Sequence, residues 1–220
     1  VYMTAEESSK PTSVDFICAS LLERTHVMNS TNTTTGGFEA SLMNTWLKTR
    51  VYPAFAEVWK AVMAECKVDY NCYVDGSVGE VKTCNAHIWL PAYADMQNTT
   101  AEPWIYEGDW ITYFVNNASR IKFLGITVSE DAVFHTSATD PADDTTKTVK
   151  TGDIWINTAD NSRGYIRKED GTWFAANGFW LRGASVTNSA NFCGVYYGGS
   201  VGSTGYSASG SYGVCPRFSI

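Results

Sequence analysis

The sequence is poor in charge and has no long apolar run. Charged residues make up 18% of the chain and aromatic residues 14%, including 8 Trp. Disordered chains show the opposite balance, so this composition predicts a folded protein whose aromatic side chains pack in a core. No apolar stretch approaches the roughly 18 residues of a membrane-spanning helix, and no basic segment followed by an apolar one opens the sequence. We therefore expect no membrane insertion, and no signal peptide is visible.

A surplus of basic residues is also missing. Lys and Arg number 16 against 23 Asp and Glu, which gives a formal net charge of -7. Proteins that hold nucleic acid through its phosphates usually present a basic face. Nucleic acid is therefore not an expected partner.

The patterns of metal sites and of common catalytic sites are absent too. No two of the six cysteines have CxxC spacing, and the three histidines lie far apart. GxSxG, HExxH, P-loop and Rossmann patterns do not occur, so we predict no metal, no cofactor and no enzyme. An even number of cysteines permits disulfides, but a chain of 220 residues can be stabilised by its core alone. Free, buried thiols are the favoured interpretation and disulfides the alternative.

Two helices are predicted in the first third of the chain, after a polar loop over residues 29–35. Phe38, Leu42 and Trp46 recur every four positions, which predicts a helix over residues 38–48 with this stripe buried. Pro53 is well placed in the first turn of a second helix. The buried face of that second helix would comprise Phe55, Trp59, Val62 and Cys66.

Short strands are predicted on either side of these helices. Residues 13–19 have the composition of a strand, and Asp75–Gly76 marks a turn between two extended runs. Residues 87–90 resemble an internal strand closed by Pro91, and residues 107–118 have a helical pattern.

The amino-acid composition changes in the second half of the chain. Residues 136–151 are rich in Thr, Asp and Ala, which predicts an exposed loop. The GDIWIN and GYIRK runs that follow predict a β-hairpin. From Gly183 to Pro216 there is no charged residue, and short extended pieces flank Gly/Ser-rich turns. This pattern predicts a small antiparallel sheet. Helices early and strands late indicate an α+β fold.

Several of these pieces resemble a family of bacterial and phage domains of unknown function, the DUF6273 type, related to the C-type lectin fold. The matching pieces are, in order, THVMNSTNTTTGGFEASLMNTWLKTRVYPAF, HIWLP, FWLRGAS and GVCPRFSI. The resemblance implies a C-type-lectin-like fold, with two helices packed on small antiparallel sheets. Residues 1–123 and 175–220 would form the lectin-like domain. Residues 124–174 would be an insertion carrying the hairpin, and TGDIWINT resembles hairpins of phage tail proteins.

Some proteins of this kind are variable proteins of diversity-generating retroelements, in which template adenines are randomised, commonly at AAY codons. A codon ending in a pyrimidine cannot encode Lys, Glu, Gln, Met or Trp, and none of these occurs between Gly183 and Gly213. An ordinary Gly/Ser-rich turn region would show the same absence. On this interpretation the fixed frame would comprise Phe179, Trp180, Leu181, Arg182, Val214, Pro216 and Phe218.

The uncharged C-terminal segment is the predicted binding surface. Tyr offers a large, stiff contact, and Ser, Asn and Gly supply adaptable hydrogen bonds and turns. The predicted ligand-binding residues are the anchors Tyr196, Tyr197, Tyr206 and Tyr212 and the polar residues Thr187, Asn188, Ser189, Asn191, Ser200, Ser203, Ser207 and Ser209. The alternative is an ordinary twisted sheet with half-buried tyrosines. Tyr196 and Tyr197 cannot both point outward if their strand is regular.

Other polar residues have structural interpretations. His87 is expected to be a hydrogen-bonded core histidine, and His135 has no evident acid or nucleophile partner in the sequence. The exposed loop contains an acidic cluster of Asp140, Asp143 and Asp144. This cluster predicts a solvated loop, with weak calcium binding as the alternative. The calcium-dependent sugar-binding tripeptides of C-type lectins are absent.

These features predict a ligand-binding, receptor-recognition protein of a phage or prophage, located on the virion or on the bacterial cell surface. Its partner would be a protein or glycan on a bacterial surface. The alternative is a structural virion or tail component without a variable ligand site, which packs against other virion proteins through the hairpin near residues 154–166.

Overall fold

The computed structural model describes residues 2–4, 13–18, 21–22, 24–74, 77–97, 133–159, 163–175 and 178–220. The helices are α1 (Leu42–Trp46), a π-helical turn (Leu47–Val51), α2 (Tyr52–Ala54), α3 (Glu57–Lys60) and α4 (Tyr93–Met96). The strands are β1 (Tyr2–Thr4), β2 (Asp15–Ile17), β3 (His26–Val27), β4 (Cys66–Val74), β5 (Ser77–Ala86), β6 (Phe134–Ser137), β7 (Ile154–Asn157), β8 (Arg163–Arg167), β9 (Trp173–Ala175), β10 (Phe179–Ala184), β11 (Asn191–Val195), β12 (Val201–Ser207), β13 (Ser211–Tyr212) and β14 (Arg217–Ser219). No helix in these ranges is both long and apolar enough to cross a membrane.

The strands form several small sheets, so the fold is mixed α+β, in agreement with the sequence pattern. Strands β10, β11 and β12 form one antiparallel sheet in that order. The last strands leave this sheet: β13 pairs with β3, and β14 pairs with β2 in a sheet of order β1-β2-β14. The early and late parts of the chain are therefore joined by backbone hydrogen bonds.

The first helix is present, but its buried face differs from the predicted one. The helix begins at Leu42, because the Ser41 hydroxyl caps it by accepting a hydrogen bond from the Asn44 amide at 3.0 Å. This start leaves Leu42 44% exposed and turns Met43 and Leu47 into the core instead. Phe38, the first residue of the predicted stripe, is buried as expected, but it precedes the helix.

The prediction of a second continuous helix with a buried face is wrong. Phe55 has an extended backbone, with φ -66° and ψ 143°, so α2 ends before it and α3 starts afresh after Ala56. Trp59 is 45% exposed and Val62 51% exposed. Cys66 belongs to β4. An i, i+4 pattern of apolar residues buries one face only in an uninterrupted helix, and this helix is interrupted at Phe55.

The hairpin around residues 75–76 is confirmed by its strands: β4 and β5 pair antiparallel from Cys66↔Ala86 to Val74↔Ser77. The two turn residues lie outside the described ranges, as does the helix predicted over residues 107–118. Residues 87–90 are not a strand. Trp89 alone pairs there, forming an isolated bridge to Arg217.

Residues 134–175 contain a four-stranded sheet of order β6-β7-β8-β9. The predicted hairpin is present, with Ile154 paired to Ile166, and both side chains are fully buried along with Trp155. In the described part of the sheet, β7 and β8 are central and β6 and β9 are at the edges. The residues between β6 and β7 form mostly exposed turns and bends, as the composition predicted.

Candidate functional site

The C-terminal sheet is built on a buried frame. Strand β10 is buried along its whole length. All seven residues predicted to form the frame are buried, including the charged Arg182. Its guanidinium donates from Nε to the Asp69 carbonyl at 2.6 Å and from Nη1 to the Leu90 carbonyl at 3.0 Å. These bonds fix β10 against the β4–β5 hairpin.

A buried carboxylate links the frame to the last strand. Asp95 is fully buried and accepts from the Ala92 amide at 2.7 Å and from Arg217 Nη1 at 2.6 Å. The other end of the Arg217 guanidinium binds Asp15 on β2. Burial alone would lower the pKa of Arg217, but the two carboxylates outweigh it and raise the pKa, so the guanidinium stays charged. The network holds β14 in place.

An aromatic cluster lies at the base of the predicted binding surface. The Tyr206 ring stacks on Tyr212 with centroids 3.7 Å apart and meets Trp180 edge-to-face at 5.6 Å. Tyr196 and Tyr197 pack against the same ring at 5.0 Å and 6.1 Å. Burial and the neighbouring tyrosyl groups raise the pKa of Tyr206 and of Tyr212. These phenols therefore remain uncharged.

The alternation of Gly with Tyr in this segment has a packing reason. A Cβ added at Gly202 would lie 2.1 Å from the Tyr196 ring, and one added at Gly194 would lie 2.7 Å from the Tyr206 ring. Only a residue without a side chain admits the rings so closely. Some of the Gly and Tyr residues of this segment are therefore required for packing inside the domain.

The predicted ligand-binding residues divide into three groups by exposure. Tyr206 is 7% exposed, and its hydroxyl donates to the Val195 carbonyl at 3.2 Å, so the prediction that it is a solvent-facing anchor is wrong. The exposed residues are Thr187, Asn188, Ser189 and Ser209, and the half-buried ones are Asn191, Tyr196, Tyr197, Ser200, Ser203, Ser207 and Tyr212. Tyr196 and Tyr197 follow the end of β11, so strand alternation does not govern them, and both are half-buried.

The sequence reasoning missed a second segment of this surface, the polar loop 29–35. Thr34 donates from its amide and from its hydroxyl to the Ser189 carbonyl, at 2.9 Å and 3.0 Å. Asn32 accepts from the Ser209 amide at 3.2 Å. Its composition, NSTNTTT, repeats the uncharged Asn/Ser/Thr character of the C-terminal turns. That shared composition was the available signal.

We use the term polar surface for loop 29–35 together with residues 187–191, 203–204 and 207–211. Neither loop 29–35 nor the segment from Gly183 to Pro216 contributes a charged side chain. The hydroxyl and amide groups can donate and accept hydrogen bonds, and the surface has no charge of its own to form ion pairs. Its chemistry suits neutral polar groups, such as sugar hydroxyls and peptide amides.

The other polar candidates have mainly internal partners. His135 does have an acid partner: its Nε2 lies 2.9 Å from Asp153 Oδ2. Asp140 accepts from Asn157 at 2.8 Å and from the Tyr165 hydroxyl at 2.7 Å, which is a structural role. Across the described ranges, no three His, Cys, Asp or Glu residues are grouped closely enough to hold a metal ion. His87 stacks on a tyrosine and makes no hydrogen bond through Nδ1, so the hydrogen-bonded core histidine that we expected is not found.

All six cysteines lie in the described ranges and none forms a disulfide there, and four of them are buried, which agrees with the favoured interpretation. Burial raises the pKa of the Cys18 thiol to about 11 and that of Cys215 well above 9.0. The Cys193 thiol donates to the Ala184 carbonyl at 3.4 Å. These thiols are therefore poor nucleophiles at neutral pH.

The fold and the site define a mixed α+β protein that carries an uncharged polar surface on a buried aromatic frame. The model of one family, described as a domain of unknown function (DUF6273), matches residues 13–220. The chain therefore belongs to the DUF6273 family. No curated protein and no solved structure matches it.

Proposed function

We propose that this chain is a C-type-lectin-like, receptor-recognition protein of a phage or prophage, displayed on the virion or the bacterial cell surface. The polar surface would contact a protein or glycan on a bacterium. The C-terminal part of that surface would be the variable part, diversified by a retroelement.

The observation that carries the proposal is the separation of frame from surface within one short segment. Phe179, Trp180 and Val214 are buried, whereas residues 187–189 and Ser209, in two of the turns of this segment, are exposed and uncharged. Substitutions at such exposed turns typically change stability by less than about 0.5 kcal/mol. A surface of this kind can change its contacts while the fold is retained, which is the property that a diversified binding site needs.

The position of Tyr206 refines the proposal. Because its ring fills space within the aromatic cluster, it belongs with the fixed frame. The adjustable positions would be the exposed residues Thr187, Asn188, Ser189 and Ser209 and their half-buried neighbours. Sequencing the gene from many isolates checks this assignment: substitutions should concentrate at the exposed positions, and an invariant C-terminal segment would exclude diversification.

Binding of the labelled full chain to a panel of whole bacteria tests recognition. Ser189→Glu combined with Ser209→Glu places two charges on the polar surface, and we expect cell binding to fall at least about tenfold with Tm unchanged. Thr145→Glu, an exposed change in the insertion, is the matched control and should bind as the unmodified chain does. Unchanged cell binding of the double variant would contradict the proposal.

A structural virion component is the second candidate, and the insertion favours it. Strand edges offer unpaired backbone groups to other chains, and β6 and β9 are at the edges of the described sheet. The hairpin strands β7 and β8 are central, so they do not supply such an edge. If this candidate holds, the chain self-associates in light scattering, Thr136→Lys on β6 abolishes the association, and no bacterium is bound.

A further inference from the structure

A pocket that shares no residue with the polar surface contains polar side chains without hydrogen bonds or ion pairs inside the described part of the chain. It has a volume of about 320 Å³ and lies between the helical segment and the end of β5. The lining residues are Lys48, Tyr52, Glu65, Asn85, Ala86, His87 and Ile88. Its volume is at the lower end of the range for small-molecule sites, which suits a ligand smaller than a nucleotide.

One wall of the pocket is aromatic and rigid. The rings of Tyr52 and His87 stack with centroids 4.8 Å apart and planes 8° from parallel. The Nδ1 atom of His87 is covered by protein and has no hydrogen-bond partner. Any hydrogen bond that this imidazole makes to a ligand must therefore use Nε2.

The rim of the pocket carries two opposite charges that do not neutralise each other. Lys48 and Glu65 are exposed, and within the described residues neither forms an ion pair or a hydrogen bond. The Asn85 amide likewise has no hydrogen bond within those ranges. A simple anion or cation would match one of the two charges and be repelled by the other. A ligand that carries both signs matches both.

We propose that this pocket binds a free α-amino acid. Its carboxylate would bind Lys48, its ammonium group would bind Glu65, and its side chain would lie against the Tyr52–His87 wall. Asn85 can donate to the carboxylate and accept from the ammonium group. The inference does not depend on the proposed receptor recognition, since the pocket and the polar surface share no residue.

Thermal-shift measurements with each common L-α-amino acid at about 10 mM, followed by calorimetry of those that raise Tm, test the assignment. We expect at least one to bind, and Lys48→Gln and Glu65→Gln each to weaken it about tenfold or more. Lys82→Gln is the matched control, because Lys82 is exposed on β5, pairs with Tyr70 and lies outside the pocket lining. All three positions are exposed, so the variants should fold normally.

A ligand carrying only one of the two charges separates a true zwitterion site from a general polar one. The carboxamide of each amino acid that binds lacks the negative charge, so it should bind the unmodified chain weakly and lose nothing further in Lys48→Gln. Three results would overturn the proposal: no amino acid binds, binding is unchanged in both charge variants, or glucose binds where amino acids do not.

Discussion

Replacing Tyr206 by Ala is expected to destabilise the fold strongly. The ring is 7% exposed, stacks on Tyr212 at 3.7 Å and meets the edge of Trp180 at 5.6 Å. Truncating a buried aromatic ring to Ala costs about 3–5 kcal/mol, because a cavity remains. In a chain of this length each kcal/mol lowers Tm by about 2–4 °C, so Tm should fall by about 6–20 °C.

Two further variants show whether the ring or its hydroxyl carries this stability. Tyr206→Phe keeps the ring and loses only the 3.2 Å hydrogen bond to the Val195 carbonyl, so we expect a loss of about 0.5–1.5 kcal/mol. Ser209→Ala, on the exposed surface, should change stability by less than about 0.5 kcal/mol.

Thermal and urea unfolding followed by near-ultraviolet circular dichroism measure all three variants, since that signal reports on packed aromatic rings. A loss below about 1 kcal/mol for Tyr206→Ala would refute the reasoning, given the cost expected for a buried ring. So would equal losses for the Phe and Ala variants, because the stability would then lie in the hydroxyl rather than in the packing.

Three other predictions concern buried polar groups. Asp95→Ala should cost about 3–5 kcal/mol in urea unfolding, because Arg217 keeps only Asp15 and Arg182 loses its one carboxylate partner within the described residues. A near-neutral result would contradict the network. Burial alone would raise the pKa of Asp153, but its hydrogen bonds lower it below 3.8. The stability that this carboxylate contributes is therefore present above pH 3.8 and lost as pH falls through the folded-state pKa. In acid unfolding followed by tryptophan fluorescence, Asp153→Asn should make the stability of the fold depend less on pH. Iodoacetamide at about pH 8 should modify Cys18 and Cys215 far more slowly in the native chain than in urea, as measured by mass spectrometry. Rapid labelling of the native chain, or a disulfide, would contradict their assignment as buried thiols.

Local patterns in the sequence predicted those features of the fold that local chemistry determines. The apolar runs around Ile154 and Ile166 predicted the hairpin, and Phe179 to Arg182, predicted as part of a fixed frame, are buried. The absence of charge after Gly183 indicated an exposed polar segment, which is present in the turns around Asn188 and Ser209.

Other features depend on contacts between distant residues, and no local pattern contains them. Leu42 and Met43 are adjacent apolar residues, and packing against the core cluster buries Met43 while Leu42 stays exposed. Tyr206 and Tyr212 look alike in sequence, yet Tyr206 packs between Trp180 and its tyrosine neighbours while Tyr212 is half-exposed. The partnership of loop 29–35 with the C-terminal turns spans most of the chain, so periodicity could not predict it.

The pairing of β2 with β14 has a consequence for how the chain acquires its structure during synthesis. Asp15 meets Arg217, a partner 202 residues later, so a ribosome must translate almost the whole described chain before β2 can be completed. Loop closure over such distances slows folding, and an unpaired strand edge invites association with other chains. Until the last residues are made, the edge of β2 that pairs with β14 therefore stays open to other chains.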